Sequence, residues 1–208
     1  MNKNISIIVA HPNTQSFNHA IACRSAEVLR RLGYSVFYHD LYAEHFDPIL
    51  PFEEFQTTAV IPETIKLHCN EIANSHGIVI VHPNWWGQPP AILKGWIDRV
   101  FRPAVTYQFI NGDSGEGTPL GLLKAETAVV FNTSNTRPER EREVFGDPLE
   151  TIWKNCIFKL CGVRNFHRTT YSVIVTSTSD QRIEWLDDVE RILVHHFPVF
   201  IIPGKIYS

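Results

Sequence analysis

The 208-residue sequence predicts an α/β fold, a three-layer, doubly wound, five-stranded parallel sheet forming one domain over residues 1–208. Three observations lead there. Five short apolar runs alternate with five helical patterns along the whole length, the order that builds a parallel sheet covered on both faces. The third run is continuously apolar and the first is so apart from Ser6, as strands buried on two sides must be. No internal repeat or low-complexity segment divides the chain, and its length suits one large domain with a sizeable core.

The elements follow in order. Ile5 to Val9 reads as the first strand. Ile21, Ser25, Val28, Leu29 and Leu32 then recur at helical spacing, and Gly33 supplies the stop. Ser35 to His39 is the second strand, and Glu63 to Ala73, behind Pro62, the second helix. Ile78 to Val81 is the third strand. The helix after it starts at Pro89-Pro90 and turns Leu93, Trp96, Ile97 and Val100 inward. Thr127 to Phe131 gives the fourth strand and Pro148 to Leu160 the fourth helix. Thr170 to Val175 is the last strand. Asp180 then N-caps a final helix that repeats Ile183, Leu186, Val189, Leu193 and Phe197. Asp40 to Ile61 and Arg102 to Leu123 stand outside the scheme, and segments of that length are usually functional or cover a partner.

Composition narrows the function classes. A net charge of -3 without a long basic run gives no footing for nucleic acid. The opening "MNKNISIIVA" lacks the apolar length of a secretion signal, and no apolar run approaches the roughly 18 residues of a membrane span, so no membrane insertion is expected. Cys23, Cys69, Cys156 and Cys161 are scattered without a C-x-x-C pair, which reads as reduced thiols in a cytoplasmic protein. The ten histidines are widely spaced except His195-His196, neighbours that point different ways on a helix, so no metal centre is expected. A G-x-S-x-G strand-to-helix turn is missing, which argues against a hydrolase.

In an open parallel sheet, ligands bind beyond the carboxyl ends of the strands, where strand order reverses. Three loops meet that description. "AHPNTQSFNHA" (Ala10 to Ala20) opens a helix and offers Thr14, Ser16 and Asn18 to an anion beside free backbone N–H groups, or else Ser16 or Asn18 caps the helix. It lacks both G-x-G-x-x-G and the P-loop pattern. "HPNWWGQPP" (His82 to Pro90) is stiffened by prolines and turned at Gly87, and its two indoles suit a platform for a planar ring. The alternative is that they plug the sheet's end or a subunit contact. "FNTSNTRPERERE" (Phe131 to Glu143) sets Asn132, Thr133, Ser134 and Asn135 at a strand's end, where short polar groups bind the edge of a heterocycle or form a turn into a charged surface. Anion cradle, flat apolar wall and polar edge together fit a phosphorylated planar cofactor, with a flavin nucleotide the foremost candidate.

These residues resemble a known family. "AHPNTQSFNHA", "DLYAEHFDPIL" (Asp40 to Leu50), "PAILKGWIDRVF" (Pro90 to Phe101) and "CGV" (Cys161 to Val163) are similar to the patterns of the flavodoxin-like-fold NAD(P)H:quinone oxidoreductase family, across essentially the whole chain. The resemblance implies a flavodoxin-like sheet of strand order 2-1-3-4-5, a bound flavin, hydride delivery from NAD(P)H, and ping-pong two-electron reduction of quinones or similar small acceptors by a homodimer. By position, His11, Ser16, Phe17 and Asn18 would hold the flavin phosphate and ribityl chain. Pro83, Asn84, Trp85, Trp86 and Gly87 would line the ring, and Asn132, Thr133, Ser134 and Asn135 would bind its polar edge. The cofactor is read as FMN, with FAD the alternative, because nothing in the first loop adds a second anion site. The Arg102–Leu123 segment and the apolar "FPVFIIPG" (Phe197 to Gly204) are expected to cover the partner subunit.

One departure stands out. The mammalian enzymes carry a Tyr and a His in the loop after the fourth strand, and alignment places Arg140 and Phe145 there. That charge-balancing mechanism therefore does not transfer. Arg137 and Arg140, with Arg142 beside them, are the candidates to stabilise charge on reduced flavin or to bind a nicotinamide phosphate, unless the Arg/Glu run is a solvated face. Two rival readings are a flavodoxin-like electron carrier and a flavin-binding ancillary subunit of a membrane potassium-efflux system.

Overall fold

The computed structural model describes residues 3–56, 59–110, 117 and 119–199. In chain order its first elements are β1 (Asn4–Val9), α1 (Phe17–Arg31), β2 (Ser35–Asp40), α2 (Glu63–Asn74), β3 (Gly77–Pro83) and α3 (Ala91–Val100). They continue with β4 (Tyr107–Phe109), β5 (Pro119–Gly121), β6 (Thr127–Ser134), α4 (Pro138–Glu143) and α5 (Pro148–Thr151). The chain then runs through a π-helix (Ile152–Phe158), β7 (Asn165–Ser172) and α6 (Ser179–His196).

β2, β1, β3, β6 and β7 lie side by side in that order and all pair in parallel, the 2-1-3-4-5 arrangement expected. The apolar runs become two faces by simple alternation. Ile5, Ile7 and Val9 of β1, Val79 and Val81 of β3, and Val129 and Phe131 of β6 face α1 and α6. Ile8, Ile78, Ile80, Ala128 and Val130 face α2, α3 and the π-helix. Because side chains alternate at every residue, a strand must be apolar at successive positions to fill both layers. Each fully buried isoleucine or valine contributes about 1.5–3 kcal/mol. Ser6 is the buried polar exception in β1, and its hydroxyl is satisfied by Ser75 at 2.6 Å.

Four expectations are corrected. β6 runs on to Ser134, three residues past the predicted end, because it pairs with β3 as far as Pro83 and with β7 as far as Ser172. The last strand is Asn165–Ser172, not Thr170–Val175. It is a half-buried edge strand, so its polar "NFHRT" carries no apolar run, and Val173 at φ 62° ends it. α6 is capped by Thr178, whose hydroxyl accepts from Gln181 N at 3.2 Å, and Asp180 lies in its first turn. Ile183, assigned to the inner face of α6, is 57% exposed, whereas Val189, Leu193 and Phe197 are buried.

The two segments outside the scheme acquire partial structure. Within Asp40–Ile61, Phe52–Phe55 forms a 3₁₀ turn held to α3 by Glu54, which accepts from Arg99 at 2.5 Å. Within Arg102–Leu123, β4 and β5 form a small antiparallel pair, while residues 111–116 and 118 lie outside the described residues. Residues 200–204 of the apolar C-terminal stretch lie outside them too. Among the described residues no helix is long and apolar enough to cross a membrane.

Candidate functional site

Strand order reverses between β1 and β3, and the loops leaving β1, β3 and β6 meet above that point. Two adjoining cavities open there, sharing Asn84 and Thr136. The first, of about 390 Å³, is lined by His11, Ser16, Phe17, Asn18, Pro83, Asn84, Trp85, Thr133, Ser134 and Asn135, with Ile174 and Arg182 from beyond β7. The second, of about 480 Å³, lies between Trp86, Gly87, Glu141, Phe145 and Pro148. Every flavin-binding residue expected from the sequence except Asn132 lines one of the two.

The first loop is built to present the start of α1. Ser16 is its N-cap, accepting from His19 N at 3.3 Å and lying 3.0 Å from His19 Nδ1. The first-turn N–H groups behind the cap have no intrahelical acceptor and carry the positive end of the helix dipole. Phe17 packs inward on Tyr171 and Trp185. Asn18 is buried and donates to Thr133 Oγ1 at 2.9 Å, tying α1 to β6. Ser16 therefore takes the capping role that the sequence left open between it and Asn18, while Asn18 bonds across to β6 instead. His11 stands at the rim beside Trp85, its pKa lowered by partial burial.

The tryptophan loop is a tight hairpin turn. Trp85 N donates to Gln88 O at 3.1 Å and Gln88 N to Trp85 O at 3.0 Å, with Trp86 and Gly87 between them at φ 57° and 70°. Two successive left-handed residues make a type I′ turn, which favours Asn-Gly. Tryptophan there is strained by about 1–3 kcal/mol. The turn leaves the Trp86 indole fully exposed and Trp85 41% exposed, so neither indole plugs the sheet. Gly87 has a second reason to lack a side chain, since a Cβ would come within 2.7 Å of Pro148.

Beneath the loops lies a polar floor that sequence reasoning missed. His82 is completely buried, and its Nε2 accepts from both Trp153 Nε1 (2.9 Å) and Asn132 Nδ2 (2.8 Å), while Nδ1 donates to Pro83 O. Two donors at Nε2 place the proton on Nδ1 and keep the ring neutral. Burial depresses its pKa to about 4. Arg168 of β7 donates to Asn132 Oδ1 and Thr170 Oγ1, and pairs with Asp147 and Glu150. Asn132 thus spends its amide inside the protein. The extended β6 explains this correction: the pleat sends Asn132 towards Trp153 and Thr133 towards α1, so the expected cluster is split between two faces.

The Arg/Glu run forms α4. Arg137, Arg140 and Arg142 are exposed, and none lines either cavity. The structure therefore does not bring Arg137 or Arg140 into the crevice. Arg140 stacks over Phe145 at 5.5 Å. Glu141 alone turns inward, accepting from Asn84 Nδ2 at 2.8 Å. The cation that does line the crevice is Arg182, held by Ser177 Oγ at 2.8 Å and Ile174 O at 3.2 Å. In the sequence it is one of two arginines on an amphipathic helix, without a distinguishing signal.

A second histidine cluster lies apart, where His39, Glu44 and His68 bring ligand atoms within 4.8 Å of one another. Its hydrogen bonding is that of an ion-pair network. Trp96 Nε1 donates to His68 Nδ1 at 3.0 Å, which puts the His68 proton on Nε2, facing Glu44 at 3.3 Å. That nitrogen has no lone pair to offer a metal. His39 lies between Glu44 (2.9 Å) and Glu71 (2.5 Å). Burial works against its charge, but the two carboxylates prevail and raise its pKa. Glu44 falls to about 2 in return, the hydrogen bonds from both imidazoles outweighing burial.

Comparison with known proteins agrees with this architecture. The model of a family described as having a flavodoxin-like fold matches residues 3–193. The chain belongs to that family. In this flavodoxin-like family it is similar to an uncharacterized NAD(P)H oxidoreductase of Haemophilus influenzae, at 38% identity over 163 residues, covering 76% of this chain and 78% of that one. The solved NAD(P)H:quinone oxidoreductase from Methanothermobacter marburgensis superposes with a TM-score of 0.79 at 22% identity, covering 94% and 98% of the two chains. An FMN-dependent NADH-azoreductase from Bacillus anthracis, solved with FMN, superposes with a TM-score of 0.74 at 15% identity, covering 93% and 99%. The last two likenesses speak to the fold. In open sheets of this strand order ligands bind at the β1/β3 switch point, where both cavities open here.

Proposed function

We propose that the protein is an FMN-binding NAD(P)H oxidoreductase that reduces quinones or similar small acceptors and works as a homodimer. The observation that carries this reading is the Trp86 indole, fully exposed on a strained turn at the mouth of the switch-point crevice. An apolar plate of that size, held in water at a cost in backbone strain, suits the face of a planar ring.

The residues present fit a flavin mononucleotide. The α1 N-terminus, with Ser16 and the nearby Arg182, suits a single phosphate. Trp85, Trp86 and Pro83 form an apolar wall, and Thr133, Ser134 and Asn135 offer short polar groups beside it. When bound, a flavin would supply two-electron redox chemistry between NAD(P)H and the acceptor, which would use the same slot in turn as a ping-pong cycle requires. The protein's part is position, electrostatics and exclusion of water. The Phe145 and Trp86 rings border a cavity of about 480 Å³, sufficient for a nicotinamide or a quinone in turn. The oriented N–H groups of the crevice favour negative charge without rearrangement.

Dimerisation would cover apolar residues that are costly to leave in water. Phe52 and Phe55 are 75% and 71% exposed, and Ile49 and Val60 lie on the same segment.

Purified protein should be yellow, and chromatography of the released chromophore should give FMN. NADH or NADPH oxidation should then depend on an added quinone, which separates an enzyme from a one-electron carrier. Colourless protein that takes up neither FMN nor FAD would end this reading.

A further inference from the structure

We propose that Glu141 is a positioning residue for the Trp86 turn, acting through the side chain of Asn84. The proposal rests on the flavin reading only for what Trp86 touches, since the contact itself belongs to the free protein.

The Asn84 amide has both ends engaged. Its Oδ1 accepts from Gly87 N at 2.9 Å, closing the turn, and its Nδ2 donates to Glu141 Oε1 at 2.8 Å. An asparagine side chain turns easily about its last torsion, and a half-turn would place its NH₂ group against the Gly87 N–H. A carboxylate only accepts, so Glu141 dictates which end of the amide faces it and therefore which end faces Gly87. As a bond to an ionised group, it is also roughly twice as strong as a neutral one.

Glu141 is placed for this. It is buried while Arg140 and Arg142 on the same short helix, and Arg137 at its N-cap, are exposed. An inward carboxylate loses hydration and must be compensated by hydrogen bonds. Its backbone is fixed as well, because Glu141 O accepts from Asp147 N at 2.9 Å and Asp147 pairs with Arg168. A strained residue persists only where its surroundings over-determine it. Trp86 at φ 57° is such a residue, and the Glu141–Asn84–Gly87 chain supplies that restraint.

Two readouts test this in the full-length protein: exchange of the Gly87 amide by NMR without flavin, and FMN affinity by fluorescence quenching. Glu141→Ala should speed Gly87 exchange and weaken FMN binding, each by roughly tenfold. Asn84→Asp alone sets two carboxylates face to face and should do at least as much. Combining Asn84→Asp with Glu141→Gln reverses the direction of the hydrogen bond and keeps an acceptor for Gly87, so both readouts should return to within about threefold of wild type. That rescue distinguishes positioning from general destabilisation, and it remains decisive if Glu141→Ala does not fold. Unchanged Gly87 exchange in Glu141→Ala, or a double variant no better than Asn84→Asp, overturns the proposal. Wild-type protein that binds no FMN would sink the flavin reading, and the exchange measurements would still decide the role of Glu141.

Discussion

Trp86 occupies a backbone conformation better suited to asparagine, and that mismatch makes it the most informative single residue. Trp86→Asn should relieve about 1 kcal/mol of strain and raise Tm by about 2–4 °C, while weakening FMN binding by tenfold or more, roughly the loss of one aromatic stacking partner. Calorimetry and a flavin titration check both halves; unaltered FMN affinity would remove Trp86 from the site. His82 makes a different prediction. Held neutral by burial, it should show an NMR titration midpoint near pH 4. The unfolded chain accepts that proton near pH 6.5, so the folded state should lose stability as pH falls from 6.5 towards 4, at up to about 1.4 kcal/mol per unit. A His82 resonance that titrates near 6.5 would contradict the double-acceptor geometry. The His82 donors are not legible in the sequence, since Asn132 and Trp153 lie far along the chain, and the Trp86 dihedral is not because it sets tryptophan in a turn that favours Asn-Gly.

At the scale of elements, α3 shows why its sequence is so specific. Gly95 faces the turn before the 3₁₀ segment, and a Cβ there would lie 2.1 Å from Pro48 O. Gly95→Ala should therefore destabilise the protein by about 1–3 kcal/mol in urea unfolding, although alanine is the better helix former by about 1 kcal/mol. A stabilised variant would show that the Pro48 contact yields cheaply. Strands buried on both faces were readable to within two or three residues, because two-sided burial leaves an unbroken apolar run. The edge strand β7 was shifted, because one wet face and a polar network erase that run. The same physics split the predicted Asn132–Asn135 cluster: three of its residues belong to the strand, where neighbours point to opposite sides.

Across the whole molecule, Arg168 joins β7 to Asn132 of β6, to Asp147 at the start of α5 and to Glu150 within it. Arg168→Leu strands a buried amide and the Asp147 carboxylate, and should cost about 3–5 kcal/mol by chemical denaturation. Glu150→Gln, at a more exposed partner, should cost less than about 1 kcal/mol. Equal effects would mean the network is not organised around the arginine. Sedimentation equilibrium should report twice the 23.8 kDa chain mass if the exposed Phe52–Phe55 segment is a subunit contact.

Local patterning determined the layered α/β architecture and the three loops at the switch point, because these depend on apolar periodicity and on short stretches of chain; the strand order was implied by family likeness. Only the tertiary structure decided which polar groups remain free for a ligand. Asn132 is consumed by His82 and Arg168, Glu141 is turned inward to Asn84, and Arg182 arrives from the last helix. Hydrogen-bond capacity is allocated between residues many positions apart, and no spacing rule along a chain records that allocation.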